Sequence, residues 1–243
     1  MTGVERPDGN DWRGASFNAF FQHTYPHLRA AAWMLWPEGG SEIDDVIQDA
    51  YVELLIRWET HQGYDSPEGW VRKVMKQRLV KARRKWWQRA NNIKEGTPMT
   101  APEVDPHTNA EVREVLDALA ELPDRQREIM VLEYVLGWSR QEIAETLDIS
   151  HSTVRVTVRN ARSRLCEILG LGSEEGAGNE LQPAPVVFGR PLVAPPGADP
   201  LVGLLRRTYT VMAASYAHAE ADQQRRLAVI RSKAAQSPNT EAT

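Results

Sequence analysis

Residues 139–165 constrain the fold more than any other stretch, because two apolar stripes of helical spacing lie there on either side of a predicted three-residue turn. Ser139 and Glu142 have the S-x-x-E spacing of a capping box, which predicts the start of a short helix. The tripeptide at 148–150 predicts a tight turn, in which Ser150 caps a longer second helix. The two predicted stripes are Ile143, Ala144 and Leu147, and Val154, Val158, Ala161 and Leu165. This pattern predicts a helix-turn-helix.

The outer face of the second helix carries side chains suited to base edges in DNA. Arginine matches guanine O6 and N7, and asparagine matches adenine. In a helix-turn-helix the second helix enters the major groove and its N-terminal residues reach the bases. The predicted base-reading residues are Ser152, Thr153, Arg155, Val156, Arg159 and Asn160. A helical hairpin with a solvated face is the less favoured alternative.

Two oppositely charged segments precede this motif. Residues 38–59 contain seven acidic residues and one arginine, whereas residues 69–94 contain ten lysines and arginines and no acid. The chain as a whole has a net charge of −4, which by itself identifies no partner. Such polarisation predicts separate negative and positive faces.

The acidic segment predicts a helix that starts at Ser41, where Ser41 and Asp44 resemble a second capping box. Its apolar stripe is Ile43, Val46, Ile47, Ala50 and Leu54, and its outward residues are Asp45, Gln48, Asp49 and Glu53. This face is either an ordinary solvated surface or a docking surface for a basic partner, and the residues alone leave both interpretations open.

The basic segment predicts a helix that starts at Pro67, with Ser66 as its N-cap. Its inner side is Val71, Val74, Met75, Arg78, Ala82 and Trp86, and its outer side is Arg72, Lys73, Lys76, Gln77, Arg83 and Arg84. Exposed helices usually mix charges to gain i,i+4 pairs, so a face without acids indicates a polyanionic partner. Aromatic residues flank this face, namely Tyr64, Trp70, Trp86 and Trp87. Basic and aromatic residues together suit single-stranded nucleic acid, although a plain core is the favoured interpretation for Trp33 and Trp86.

The predicted fold class is all-α, with two small helical domains joined by a flexible linker and a C-terminal helical extension. A helix from about Ser16 to Trp36 opens the first domain, and Pro26 either kinks it or starts a second segment. Stretches rich in proline and glycine predict the linkers. The predicted segments are a disordered N-terminus (1–13), a first domain (14–92), a linker (93–110), a helix-turn-helix domain (111–171), a Pro/Gly-rich linker (172–199), an amphipathic helix (200–235) and a disordered tail (236–243).

The composition excludes several functional classes. A single cysteine, Cys166, leaves no disulfide framework or cysteine-based zinc cluster and indicates a reducing compartment. The apolar runs are too short to span a membrane, and the polar N-terminus lacks the pattern of a signal peptide. The motifs GxGxxG, GxxxxGK[ST], HExxH and GxSxG do not occur, so the sequence predicts no enzyme activity, no cofactor and no metal site.

Four segments together resemble an extracytoplasmic-function (group 4) sigma factor of bacterial RNA polymerase, in the sigma-70 family. FNAFFQHTYPHLRAAAW and SEIDDVIQDAYVELL resemble the opening and the polymerase-binding helix of the family's sigma-2 domain. SPEGWVRKVMKQRLVKARRK resembles its minus-10 melting helix, and LPDRQREIMVLEYVLGWSRQEIAETLDIS resembles the sigma-4 domain. The resemblance covers about residues 14–170, and the combination of the three helical motifs makes it specific.

The resemblance implies a cytoplasmic initiation factor that binds core polymerase and promoter DNA and has no chemistry of its own. It implies contacts with the β′ clamp helices and the β flap, and it leaves an anti-sigma factor open as a further partner. The implied polymerase-binding residues are Asp44, Asp45, Gln48, Asp49 and Glu53. The implied minus-10 and melting residues are His61, Tyr64, Asp65, Trp70, Lys73, Lys76, Gln77 and Arg84, and the minus-35 residues are those of the second helix. The loop from His61 to Asp65 is expected to take a flipped base.

The chain departs from the family pattern at several positions, so the resemblance does not predict which promoter sequence it recognises. Ser152 stands where glycine is frequent, Val156 begins a stretch where SRL is common, and Trp138 replaces the usual leucine. A stand-alone helix-turn-helix regulator that binds duplex DNA without polymerase is the main alternative. A protein-binding adaptor is a second one, and the acid-free basic segment counts against it.

The extension contains one further amphipathic pattern, with Pro200 at its start. Its stripe is Leu201, Leu204, Leu205, Thr208, Met212, Tyr216 and Ala219. One helix cannot bury such a stripe alone. We expect it to dock on a sigma domain or on polymerase and to tune activity; a weakly helical appendage is the alternative.

Overall fold

The computed structural model describes Trp12 and residues 14–36, 39–61, 67–92, 110–171 and 199–237, apart from the side chains of 84 and 87–92. Within these ranges the chain forms helices and no strand. The helices are α1 (Phe17–Leu35), α2 (Ser41–Ile56), α3 (Trp58–His61), α4 (Pro67–Asn92), α5 (Ala110–Ala120), α6 (Asp124–Met130), α7 (Arg140–Leu147), α8 (His151–Ile168), α9 (Pro200–His218) and α10 (Glu220–Gln236). A π-helical turn, Val131–Val135, continues α6. None of these helices is long and apolar enough to cross a membrane.

α1 is the central helix of the described structure. Ser16 caps it by accepting a hydrogen bond from the Ala19 amide at 3.2 Å, and Pro26 lies inside one continuous helix. The helices α2, α4, α9 and α10 and the π-helical turn all pack on α1. α1 is therefore buried on more than one side, and its buried residues include Tyr25, Pro26, Ala30, Ala32 and Met34.

α2 begins at Ser41 as predicted, but the predicted capping box does not form. Gly40, with φ 50°, occupies the cap position and has no side chain to offer. Asp44 instead accepts a hydrogen bond from Arg29 Nε at 3.2 Å, so its carboxylate has a cationic partner on α1. The prediction was wrong because the capping pattern considers only neighbours in sequence.

α5 to α8 form the second bundle, and here the local predictions are confirmed. Ser139 Oγ accepts from the Glu142 amide at 3.2 Å, and the Glu142 carboxylate accepts from the Ser139 amide at 2.8 Å. Asp148, in the left-handed region at φ 52°, ends α7, and Ser150 caps α8 by accepting from the Thr153 amide at 3.0 Å. Both predicted apolar stripes are buried.

The C-terminal extension forms two helices where the sequence predicted one. They meet at Ala219, and the Gln223 side-chain amide donates to the carbonyls of Tyr216 at 2.8 Å and Ala217 at 3.1 Å. These are carbonyls that the end of α9 would leave unsatisfied, so the buried Gln223 stabilises the break.

α9 lies between the two bundles. It packs on α1 of the first bundle and on α5, α8 and the π-helical turn of the second. Its start is fixed by Asp199, which accepts from the Leu201 amide at 2.9 Å and forms an ion pair with Arg162 of α8. Because neighbours cover it on several sides, α9 also buries residues outside the predicted stripe, namely Val202, Gly203, Arg206, Tyr209 and Ala213.

Candidate nucleic-acid and protein interfaces

The outer face of α8 is exposed along its N-terminal half. All six residues predicted to read bases are exposed, and Val156 is one of the few exposed large apolar side chains of the described residues. Ser150 Oγ lies 2.8 Å from Ser152 Oγ and 2.7 Å from Thr153 Oγ1, so three hydroxyl groups cluster where the helix begins. The arrangement presents hydroxyl, guanidinium, amide and methyl groups on one rigid surface.

α7 is held against α8 by interactions with α6 and the π-helical turn. Arg140 forms a 3.0 Å ion pair with the buried Glu133, and Arg125 donates to the Leu147 carbonyl at 2.8 Å. Burial raises the pKa of the Glu133 carboxyl, and the hydrogen bond from Arg140 opposes this shift. A rigid support of this kind keeps α8 in a fixed orientation.

The acidic surface of α2, defined as Asp44, Asp45, Gln48, Asp49 and Glu53, is only partly free. Asp45 and Asp49 are exposed and the other three residues are intermediate. Glu53 accepts from Arg78 of α4 at 2.6 Å. Asp44 lies 3.0 Å from Arg226, and Asp49 lies 3.4 Å from Lys233. Both cations are on α10. The surface predicted to dock on a partner is thus covered in part by the same chain.

The basic face of α4 also differs from the prediction. Arg72 donates to the Leu136 carbonyl at 3.3 Å and Arg83 lies 3.9 Å from Glu128, so both meet the second bundle. Lys76, predicted to point outward, is fully buried. Only Lys73 and Gln77 of the predicted face are exposed among its described side chains. The prediction assumed that one side of α4 meets solvent, but the second bundle packs against it.

The residues predicted for the minus-10 loop are only partly described. His61 is buried, and its ring lies edge-on to Trp70 with 4.4 Å between centroids. Trp70 itself is half-buried. Tyr64, Asp65 and the side chain of Arg84 lie outside the described residues.

Several charged residues that engage the predicted surfaces were missed by the sequence analysis. They are Arg29, Arg226 and Lys233 at the acidic surface, together with Arg78, which was assigned to the inner side of α4. The sequence does contain a feature that indicates a basic surface on α10. This helix carries four basic residues, at 225, 226, 231 and 233, and two acids, at 220 and 222.

Comparison with known protein families matches both bundles. The family model described as "Sigma-70 region 2" matches residues 20–89. The family model described as "Sigma-70, region 4" matches residues 112–165. The chain belongs to the sigma-70 family of RNA polymerase sigma factors. It is an alternative sigma factor of the extracytoplasmic-function type, which binds core RNA polymerase and directs transcription from specific promoters.

Curated relatives carry the same assignment. The chain is 31% identical to RNA polymerase sigma-E factor of Streptomyces coelicolor over 132 residues, which are 53% of this chain and 72% of the relative. It is 23% identical to the ECF RNA polymerase sigma factor SigX of Bacillus subtilis over 155 residues, or 58% of this chain and 78% of the relative. It is 26% identical to the ECF sigma factor EcfG of Rhodopseudomonas palustris over 156 residues, or 63% of this chain and 84% of the relative.

A solved structure shares the fold of this sigma factor. The sigma factor RpoE of Bartonella quintana, solved in complex with the anti-sigma factor NepR, aligns with a TM-score of 0.50 at 20% identity. The alignment covers 65% of this chain and 98% of that chain.

Proposed function

We propose that this sigma factor reads the minus-35 element with the outer face of α8, holds the melted minus-10 strand along α4, and docks on the β′ clamp helices through the acidic surface of α2. The second bundle then meets the β flap. The observation that carries the proposal is the exposed pair Arg155 and Arg159, four residues apart on the N-terminal half of α8. In a helix-turn-helix this half enters the major groove, where each arginine can bind guanine through two hydrogen bonds.

The minus-10 assignment is supported by the exposure of Lys73 and Gln77, which share α4 with the half-buried Trp70. A base that leaves the stack can lie on an aromatic ring while cations hold its phosphates. His61, Tyr64, Asp65, Arg84 and Lys76 belong to this proposal through the family resemblance. Lys76 can meet DNA only after α4 separates from the second bundle, because its side chain is buried against it.

The α2 assignment is supported by the charge of its outer face, where Asp45 is exposed and turned away from the buried stripe of Ile43 and Ile47. A stand-alone helix-turn-helix regulator does not need this helix or α4. Residues 20–89, which contain α2 and most of α4, match sigma-70 region 2. We expect the protein to act in the cytoplasm, and an anti-sigma partner stays a prediction.

Run-off transcription with core polymerase tests the minus-35 assignment. Arg155→Ala and Arg159→Ala should each lose about 1–3 kcal/mol of discrimination between the cognate minus-35 element and a version altered at one base. Arg113→Ala, an exposed arginine on α5, is the matched control and should behave as wild type. If neither α8 variant loses discrimination, α8 does not read the promoter.

A further inference from the structure

α10 lies along α2 and its basic residues span the acidic surface. Arg226 lies 3.0 Å from Asp44, and Lys233 lies 3.4 Å from Asp49. The two cations are seven residues apart, so two helical turns bring them to the same face. Between them Leu227 and Ile230 are buried, so this face also contributes apolar contact.

Arg226 is part of a charge network. Its Nε lies 2.7 Å from Asp222, while Arg29 lies 3.2 Å from Asp44 and 3.8 Å from Asp222. The side chains of Arg29, Asp44 and Arg226 are only 17%, 19% and 15% exposed. Networks of partly buried pairs contribute more than isolated surface pairs. Burial acts to lower the pKa of Arg226, but Tyr25 and the two carboxylates outweigh it and raise that pKa, so the guanidinium stays charged.

α9 ties the second bundle to the same assembly. Arg206 donates to the Tyr134 carbonyl at 3.3 Å, and Arg207 lies 3.2 Å from Glu111 of α5. On the opposite side the buried Tyr209 ring lies 5.8 Å from the ring of His27 on α1. The extension therefore binds both bundles at once and holds them in the arrangement that also buries Lys76 of α4.

We propose that the α9–α10 extension is an intramolecular cover, and that core polymerase binds this sigma factor only after α10 has left α2. The inference rests on the proposed docking role of the acidic surface. A polymerase surface that complements Asp44 and Asp49 is basic, and α10 offers the same chemistry through Arg226 and Lys233. Polymerase and α10 cannot contact these carboxylates at the same time, so polymerase binding requires the open form, in which α10 has left α2.

The closed arrangement lowers the apparent affinity of the full chain for polymerase. A binding-competent state that is only fractionally populated reduces affinity by that fraction. Weakening the contact between α10 and α2 should therefore tighten polymerase binding without changing the docking residues themselves. If the extension only stabilised the fold, weakening this contact would not tighten polymerase binding.

Charge reversal on α10 of the full chain tests the cover. Arg226→Glu with Lys233→Glu should tighten binding to labelled core polymerase about tenfold and raise run-off transcription in parallel. Arg225→Glu is the control and should leave the affinity as in wild type, because Arg225 is 78% exposed and its ion pair, at 3.8 Å, is with Asp222 of α10 itself and not with α2. Circular dichroism checks that all variants keep their helix content. Affinity equal to that of wild type in the double variant overturns the proposal.

Two further measurements separate this inference from the docking assignment. In the wild-type chain, amides of α10 should lose protection from hydrogen exchange when core polymerase is added; unchanged protection overturns the cover. Asp45→Lys in the charge-reversed background should abolish the gained affinity. If it does not, both the docking assignment and the cover fail. If Asp45→Lys weakens binding but the α10 reversal tightens nothing, only the cover fails.

Discussion

The ammonium group of Lys76 lies 3.4 Å from the centroid of the Trp138 ring, which joins the basic helix α4 to the segment that leads into α7. The Lys76 side chain is buried, and among the described residues its Nζ has no hydrogen-bond partner. Attraction between the cation and the indole ring offsets part of the loss of hydration. A tryptophan at this position therefore has a structural role in the contact between the two bundles.

This contact makes the closed arrangement sensitive to pH. Burial, with a smaller contribution from Arg125, lowers the pKa of Lys76 from 10.5 to about 7, although Glu128 and Glu142 oppose the shift. Between these two values the open or unfolded chain binds a proton that the closed chain excludes. The free energy of unfolding should therefore rise with pH from about 7 to 10. Below about 7 both forms carry the proton, so the destabilisation caused by Lys76 has its full value there.

Lys76→Met keeps an unbranched stem and removes the titration. At pH 7 it should raise the free energy of unfolding by about 1 kcal/mol, because no charge has to be neutralised or buried. Urea unfolding of wild type and variant at pH 7 and pH 9 measures the effect, and the gap between them should narrow at pH 9. Lys73→Met, at an exposed position on the same helix, should leave the pH dependence as in wild type. An equal pH dependence in the Lys76 variant would contradict the assignment.

Val156 should read a thymine methyl group. Its side chain is 47% exposed on the base-reading face of α8, and apolar side chains contact the thymine methyl group in the major groove. Replacing thymine by uracil in the minus-35 element should weaken wild-type binding about fourfold at the contacted position, which corresponds to about 0.8 kcal/mol for one buried methyl group. Val156→Ala should bind both promoters alike. A uracil scan that shows no sensitive position in wild type refutes the contact.

Gly39 should resist substitution for a steric reason. A Cβ there would lie 2.6 Å from Trp36 Cδ2 and 2.7 Å from Ile43 Cγ1, both side chains being buried. Gly39→Ala should therefore cost about 2 kcal/mol of unfolding free energy, typical of overpacking. Gly170→Ala is the comparison, since it has open space but a φ of 62°, and should cost about 1 kcal/mol from backbone strain alone. Thermal or urea unfolding ranks the two.

We expect Asp199 to stabilise the packing of the C-terminal extension on the second bundle. It caps α9 through the Leu201 amide and pairs with Arg162, and both charged side chains are largely buried, at 1% and 15% exposure. Asp199→Ala should destabilise the protein by about 3 kcal/mol, because it leaves the arginine without its carboxylate. Asp199→Asn keeps a cap acceptor and should lose less. Urea unfolding compares the two variants, and equal losses would show that the ion pair contributes nothing.

Some features of the fold were predictable because they depend on residues close in sequence. The capping box of Ser139 and Glu142 and the cap at Ser150 involve neighbours three residues apart. Periodicity likewise predicted the buried stripe of α8. The same reasoning failed at Asp44, where a partner on another helix replaced the local cap.

The sequence by itself determined the helical fold class, the helix-turn-helix and the paired acidic and basic helices that identify a sigma factor. Only the tertiary structure decided which of these charged faces remain available. Lys233 and Asp49 are separated by 184 positions, and no local pattern relates them. The reason is physical: burial and ion pairing depend on which helices lie next to each other, and that is settled by the packing of α9 and α10 on the central helix α1.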